Sequence, residues 1–167
     1  MRLYHGSTFR VANPKVSFGR RETDFGKGFY TTTAYEQAAR WANLKKRRAN
    51  NPKAKAVVSI FEFDEALLKS SKYDVMFYDG ATQEWLDFVV GNRRGIELHQ
   101  YDMVMGPVAN DNLYATISLY ENGGLTAEAA VVQLKTYKLF NQLSFHSPKA
   151  VATLAFVQSI VVEEDEQ

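Results

Sequence analysis

The stretch "DFGKGFYTTTAYEQAARWA", residues 24–42, passes through three kinds of backbone. Gly26 and Gly28 punctuate a loop, and glycine admits conformations that other residues avoid. "GFYTTT" is rich in β-branched and aromatic residues and predicts a strand. From Tyr35 to Arg48 the period turns helical, with Tyr35, Ala38, Trp41 and Ala42 on one face. Loop, strand and amphipathic helix in this order make the chain neither all-α nor all-β. The stretch also carries more aromatic residues than a surface loop needs. Tyr30 ends the Gly-x-Gly loop and Trp41 follows one helix later. The pair reads either as ordinary packing or as a clamp for a flat ring.

Outward from this stretch the alternation continues. "MRLYHG" predicts a strand ended by Gly6, and residues 8–27 a polar, irregular connection. "AVVSIFEFD" (56–64) is the clearest strand, "EALLKS" (65–70) a short helix and "YDVMFYD" (73–79) another strand. "TQEWLDFVVGNRRG" (82–95) reads as a helix with Trp85, Phe88 and Val89 inward and Gly95 as its stop. "YDMVMGPVA" (101–109) predicts a strand interrupted at Gly106-Pro107. "NDNLYATISLYENGG" (110–124) offers an Asn110/Asp111 cap, a helix and a Gly stop, and "TAEAAVVQLKTYKL" (126–139) a further helix. "NQLSFHS" (141–147) is a strand. "SPKAVATLAF" (147–156) begins with Ser at the cap and Pro at the first helical position, and "VQSIVV" (157–162) is a last strand. Strands spread along the chain with helices between them predict an α+β fold. One domain is expected over 1–162, followed by the acidic tail 163–167.

The net charge of +1 gives no global attraction to polyanions. "KKRR" (45–48) is local, and reads as a solvated helix end or as a patch for RNA or an acidic partner. There are no cysteines, which excludes thiol nucleophiles, disulfides and Cys-ligated zinc. No long apolar run suggests a signal peptide or membrane span, so cytoplasm is the expected location. His5, His99 and His146 show no metal-ligand spacing, and no metal is expected. "GKGFYTTT" lacks the spacing of a P-loop, and no Gly-x-Ser-x-Gly elbow is present.

What remains is "LYHGS" (3–7), "GKGFYTT" (26–32), Trp41 and "FNQLSF" (140–145). In this order they resemble the ADP-ribosyltransferase superfamily, whose diphtheria-toxin and poly(ADP-ribose) polymerase branches share a His–Tyr–Glu signature. His5 and Tyr30 match the first two members, Trp41 stands at the spacing of a second stacking aromatic, and Gln142 stands where the Glu is expected. More closely, residues 3–156 look like an uncharacterised bacterial family placed near that superfamily, with Asp-Phe-Gly-x-Gly-Phe-Tyr, Gly-Pro-Val-Ala and Gln-x-Ser-Phe in sequence.

The resemblance implies a split β-sandwich of two small, roughly perpendicular sheets forming an NAD cleft, flanked by helices. It implies NAD+ as substrate, with His5, Tyr30 and Gln142 as the catalytic positions. Gly6 and Ser7 would meet the carboxamide, His5 the adenosine ribose, and Tyr30 with Trp41 the two faces of nicotinamide. Arg20, Arg21 and Lys27, beside Gly28, become candidates for the pyrophosphate, where Arg suits bidentate contact. Gln accepts and donates hydrogen bonds but is no base. Glu84, Asp87 and Asp102 are therefore candidates for a substitute carboxylate, and Gln142→Glu is expected to raise turnover. The implied activity is transfer of one ADP-ribose to an unknown protein, nucleic-acid or water acceptor, in a toxin or conflict-system setting with a possible antitoxin partner. The other readings are an NAD- or nucleotide-binding module without turnover, and an interaction protein in which these residues are only core.

Overall fold

The computed structural model describes residues 1–18, 23–96, 99–109, 111–137 and 139–163, without the side chains of 18, 111 and 112. Seven strands and five α-helices are found among the described residues. The strands are β1 (Arg2–Ser7), β2 (Phe29–Thr32), β3 (Ala56–Glu62), β4 (Val75–Phe77), β5 (Met103–Pro107), β6 (Asn141–Phe145) and β7 (Ala155–Val162). The helices are α1 (Tyr35–Arg48), α2 (Gln83–Arg93), α3 (Asp111–Glu121), α4 (Ala127–Leu134) and α5 (Pro148–Val151).

The α+β class holds, but the expected pair of small sheets does not. Hydrogen bonding joins all seven strands into one mixed sheet, in the order β4-β5-β6-β2-β1-β3-β7. Its weakest junction lies between β1 and β2. β1 and β2 meet at the single pair Tyr4↔Thr32, whereas β1 pairs with β3 through six residues and β2 with β6 through four. Gly6 of β1 makes a separate close contact. A Cβ on Gly6 would stand 2.1 Å from the Ala38 carbonyl oxygen and 2.8 Å from the Ala42 nitrogen. The backbone of α1 is pressed onto β1 at this point. Gly6→Ala has no side chain free to yield and costs about 2–3 kcal/mol. A melting temperature roughly 5–10 °C lower is the expected reading, and an unchanged one contradicts this packing.

The strand pattern follows from what covers each face. In β3, Ala56, Val58 and Ile60 pack with Ala38 and Ala42 of α1, while Phe61 packs with Leu3, Phe29 and Phe145 on the other side. Burial on both faces explains the continuous apolar run. A third core gathers Trp85, Leu86 and Val89 of α2, Leu113 and Ile117 of α3, and Ala130 and Leu134 of α4 around Phe25 and Val104.

Caps behave as their residue types require. Thr82, Thr126 and Ser147 accept from the backbone nitrogens of Trp85, Ala129 and Ala150. Asn110, half of the expected α3 cap, lies outside the described residues. Three boundaries differ from expectation. β5 runs through Gly106 to Pro107, because Gly106 fits under Tyr78, Phe25 and Trp85 and Pro107 only closes the strand. α4 stops at Leu134, its last buried residue. α5 is one turn long, and from Ala155 the chain is drawn into β7 by pairing with Glu62.

Candidate functional site

Register decides which candidates share a face. Tyr30 lies opposite Ser144 and Thr32 opposite Gln142, so all four point to one side of the sheet. Phe29, opposite Phe145, points to the other side, where His5 stacks on it with ring centroids 4.4 Å apart. The candidates therefore line two cavities. One, of about 740 Å³, has His5, Gly28, Phe29 and Tyr30 in its wall together with Phe9 and Arg10. The other, of about 670 Å³, has Asp24, Tyr30, Trp41, Lys45, Arg93 and Gln142. Thr23 and Tyr30 belong to both. Each is of the size that small-molecule sites occupy.

His5 is partly buried, and its Nδ1 sits 2.7 Å from the Tyr30 carbonyl oxygen. A carbonyl only accepts, so Nδ1 carries the proton and Nε2 remains an acceptor. Burial, and then the Lys45 ammonium, push the imidazole pKa down to about 3. His5 is therefore neutral at pH 7, and its Nε2 is suited to accepting a hydrogen bond from a hydroxyl, not to carrying charge.

Tyr30 is a fastener as well as a wall. Its hydroxyl accepts from the Phe25 nitrogen at 2.9 Å and donates to the Gly26 carbonyl at 2.5 Å. Thr23 Oγ1 donates to the same carbonyl at 2.6 Å. Burial raises the phenol well above its ordinary range, so it stays protonated. The other two histidines hold this loop from behind. His99 Nε2 donates to the Phe25 carbonyl at 2.6 Å, and His146 Nδ1 to the Lys27 carbonyl at 2.8 Å. His146 Nε2 then accepts from Ser144 Oγ at 2.7 Å. Burial lowers the His146 pKa to about 4.

At the third position Gln142 is 2% exposed. Its Nε2 donates to Asp24 Oδ2 at 3.1 Å and lies 3.4 Å from the Pro107 carbonyl. Asp24 Oδ1 takes two hydrogen bonds from Arg93, at 3.0 and 2.8 Å, and Oδ2 also takes the Ala109 nitrogen. A carboxylate thus stands against Gln142, but it is none of those expected. Glu84 and Asp87 are exposed on α2, and Asp87 is taken by the Tyr120 hydroxyl. Asp102 is held by Ser147, the Asp74 nitrogen and Lys149. It lies four residues from Gly106, the partner of Gln142, roughly 13 Å along the strand. Asp24 sits in the Asp-Phe-Gly-Lys-Gly loop, yet nothing in sequence marked it, because its partners stand 69, 85 and 118 residues away.

The remaining candidates divide. Trp41 and Gly28 line the cavities. Gly6 lines neither, and its carbonyl accepts from Lys45 Nζ at 2.7 Å, so a carboxamide there would have to displace an ammonium. Ser7 is 6% exposed and lines neither cavity. Lys27 is exposed and contributes its carbonyl to His146. Arg20 and Arg21 lie outside the described residues. Among the described residues no group of three His, Asp or Glu side chains is placed to hold a metal ion, and no helix is long and apolar enough to cross a membrane.

No curated protein and no solved structure matches the chain. Residues 1–156 match the family DUF3990, described as a protein of unknown function, and the chain belongs to that family.

Proposed function

We propose that this domain binds NAD+ across the two cavities and breaks the bond between nicotinamide and ribose, handing ADP-ribose to an acceptor. One observation carries the reading: Tyr30, Trp41 and Gln142 line one cavity, with the Asp24 carboxylate against Gln142. Two aromatic residues suit the cationic pyridinium ring of NAD+. Neutral His5 in the adjoining cavity suits a ribose hydroxyl. The nicotinamide nitrogen leaves with the electron pair of the broken bond, the acceptor's lone pair forms the new bond to C1′, and the acceptor proton goes to solvent or to a nearby carboxylate. Asp24 adds negative charge where an oxocarbenium-like centre would develop. Gln142 supplies a hydrogen bond and no charge. The domain belongs, on this reading, with toxin-like or conflict-system transferases.

The second reading is a nucleotide-binding module without turnover. It is favoured by the occupation of both Asp24 oxygens by Arg93, Gln142 and Ala109, which leaves that carboxylate poorly placed to take a proton.

Incubation with NAD+ and measurement of free nicotinamide tests both. Trp41→Ala removes one stacking face from a partly exposed helix position and is expected to weaken NAD+ binding about two- to tenfold. Tyr30→Ala also frees the loop and is expected to abolish release. Saturable NAD+ binding without release selects the module, and neither binding nor release overturns the proposal.

A further inference from the structure

From Gln37 to Phe61 the chain holds seven cations and no carboxylate: Arg40, Lys45, Lys46, Arg47, Arg48, Lys53 and Lys55. A net charge of +1 hides this polarisation. A helix C-terminus ordinarily attracts a basic residue or two. Two features exceed that ordinary role. First, the cations continue past the helix, on a loop shaped by Asn51, whose side chain accepts from the Lys53 nitrogen and whose carbonyl accepts from the Ala54 nitrogen. Second, they reach the candidate site. Trp41, Leu44, Lys45 and Arg48 follow the i, i+3, i+4, i+7 spacing of one helix face, and all four line the cavity that holds Tyr30 and Gln142.

The sheet register gathers the rest at the same end. Lys45 reaches the Gly6 carbonyl, Ser7 pairs with Val57, and Lys55 stands two residues before Val57. Among the described residues two carboxylates at the cavity are already taken. Asp24 and Glu121, which line the cavity, are paired with Arg93 and Arg94. Glu163 follows Val162, the partner of Ala56, and so lies beside Lys55 and offsets one cation.

We infer that this basic lip and the cavity behind it bind single-stranded nucleic acid, with the phosphates on Arg47, Arg48, Lys53 and Lys55 and a base entering beside Trp41 and Tyr114. The aromatic residues favour this occupant over an acidic protein. Trp41, Tyr30 and Tyr114 are interleaved with Lys45, Arg48 and Arg93 in one wall, the combination that stacks bases while tracking a phosphate chain. A duplex keeps its bases stacked and has none to offer the cavity. Nucleic acid as the acceptor of ADP-ribose rests on the proposed transferase reading, whereas the docking does not.

The test is binding of a fluorescein-labelled single-stranded oligothymidylate to the full chain without NAD+, across a salt series. Four phosphate contacts predict that log K falls with log salt at a slope of about −3. Arg47→Gln, Arg48→Gln, Lys53→Gln and Lys55→Gln combined, all at exposed positions, are expected to weaken binding at least tenfold and flatten the slope. The melting curve of that variant is expected to match the parent, since the substitutions touch no core. A slope shallower than −1, affinity unchanged in the variant, or equal affinity for a polyglutamate peptide of matched charge would overturn the inference. Nicotinamide release is read in a separate reaction without oligonucleotide, so failure of one reading leaves the other standing.

Discussion

Gln142→Glu lowers the melting temperature by roughly 10 °C at pH 7, and adding Asp24→Asn restores most of it. The parent places an amide donor 3.1 Å from Asp24 Oδ2, with the Pro107 carbonyl as a second acceptor nearby. A glutamate there turns that donor into a third acceptor, in a site where residue 142 is 2% exposed. Two carboxylates at such separation cannot both be accommodated by the single Arg93, and an uncompensated buried charge costs about 3–5 kcal/mol. The alternative is protonation of one of them, which consumes free energy at pH 7 by the same linkage. Asp24→Asn in the same chain puts the donor on residue 24 and the charge on 142, so the pair is restored with its polarity reversed.

Thermal melts of the parent, both single variants and the double variant form a cycle, with an expected coupling of at least about 2 kcal/mol. Additive effects would show that Gln142 and Asp24 do not meet. The cycle also revises an expectation of the sequence. Gln142→Glu alone is not expected to raise turnover, because the site already holds a carboxylate. If a carboxylate at 142 accelerates NAD+ cleavage, the gain is expected in the Asp24→Asn background.

This pair marks where sequence reading stops. The loop, strand and helix of residues 24–42 are visible in one sequence, because glycine placement, β-branching and a 3.6-residue period act over a few neighbours. Tyr30, Trp41 and Gln142 were grouped only through the family resemblance, and the fold does bring them to one cavity. Their surroundings depend on distant partners. Asp24 looks like any loop acid until Arg93 and Ala109 are folded beside it. Asp102 looks like an available acid until Ser147 and Lys149 enclose it and hold its carboxyl below the usual range. The split between two sheets was misread for a related reason. One pair, Tyr4↔Thr32, is enough to join them, and it bridges residues 28 apart in sequence, beyond the reach of local pattern. His5 shows the remaining limit. It belongs to the signature by sequence, yet strand alternation turns it away from Gln142, and Thr23 and Tyr30 are what their two cavities share.

The protein is expected to lose stability steeply below about pH 6.5. His5 and His146 titrate near 6.5 in the unfolded chain but are held at about 3 and about 4 in the folded one. The folded state therefore binds fewer protons, and stability rises with pH through that interval. The contribution of each histidine is complete above 6.5 and is lost as pH falls toward its folded value. With both active, the slope approaches ~2.7 kcal/mol per pH unit between about pH 6 and 4, and half that from 4 to 3. Asp102, whose folded pKa is lowered, adds a loss of the same sign only as pH falls below its ordinary 3.8, beneath the window of the histidines.

Structure explains why protonation is resisted. A second proton on His146 would sit at Nε2, facing Ser144 Oγ, which would have to turn its own proton toward the Val104 carbonyl at 3.2 Å, with His99 4.6 Å away between ring centroids. A second proton on His5 would bring a cation toward Lys45. Denaturant titrations at pH 7, 5.5 and 4.5 measure the slope. His146→Asn, which cannot gain a proton, keeps a donor for the Lys27 carbonyl but loses the Nε2 acceptor of Ser144, and is expected to be less stable at pH 7 yet to show about half the slope between pH 6 and 4.5. A parent protein equally stable at pH 7 and 4.5 would mean that neither imidazole is held neutral. An imidazolium at 146 would still donate from Nδ1 to the Lys27 carbonyl, so the loop would stay fastened in acid.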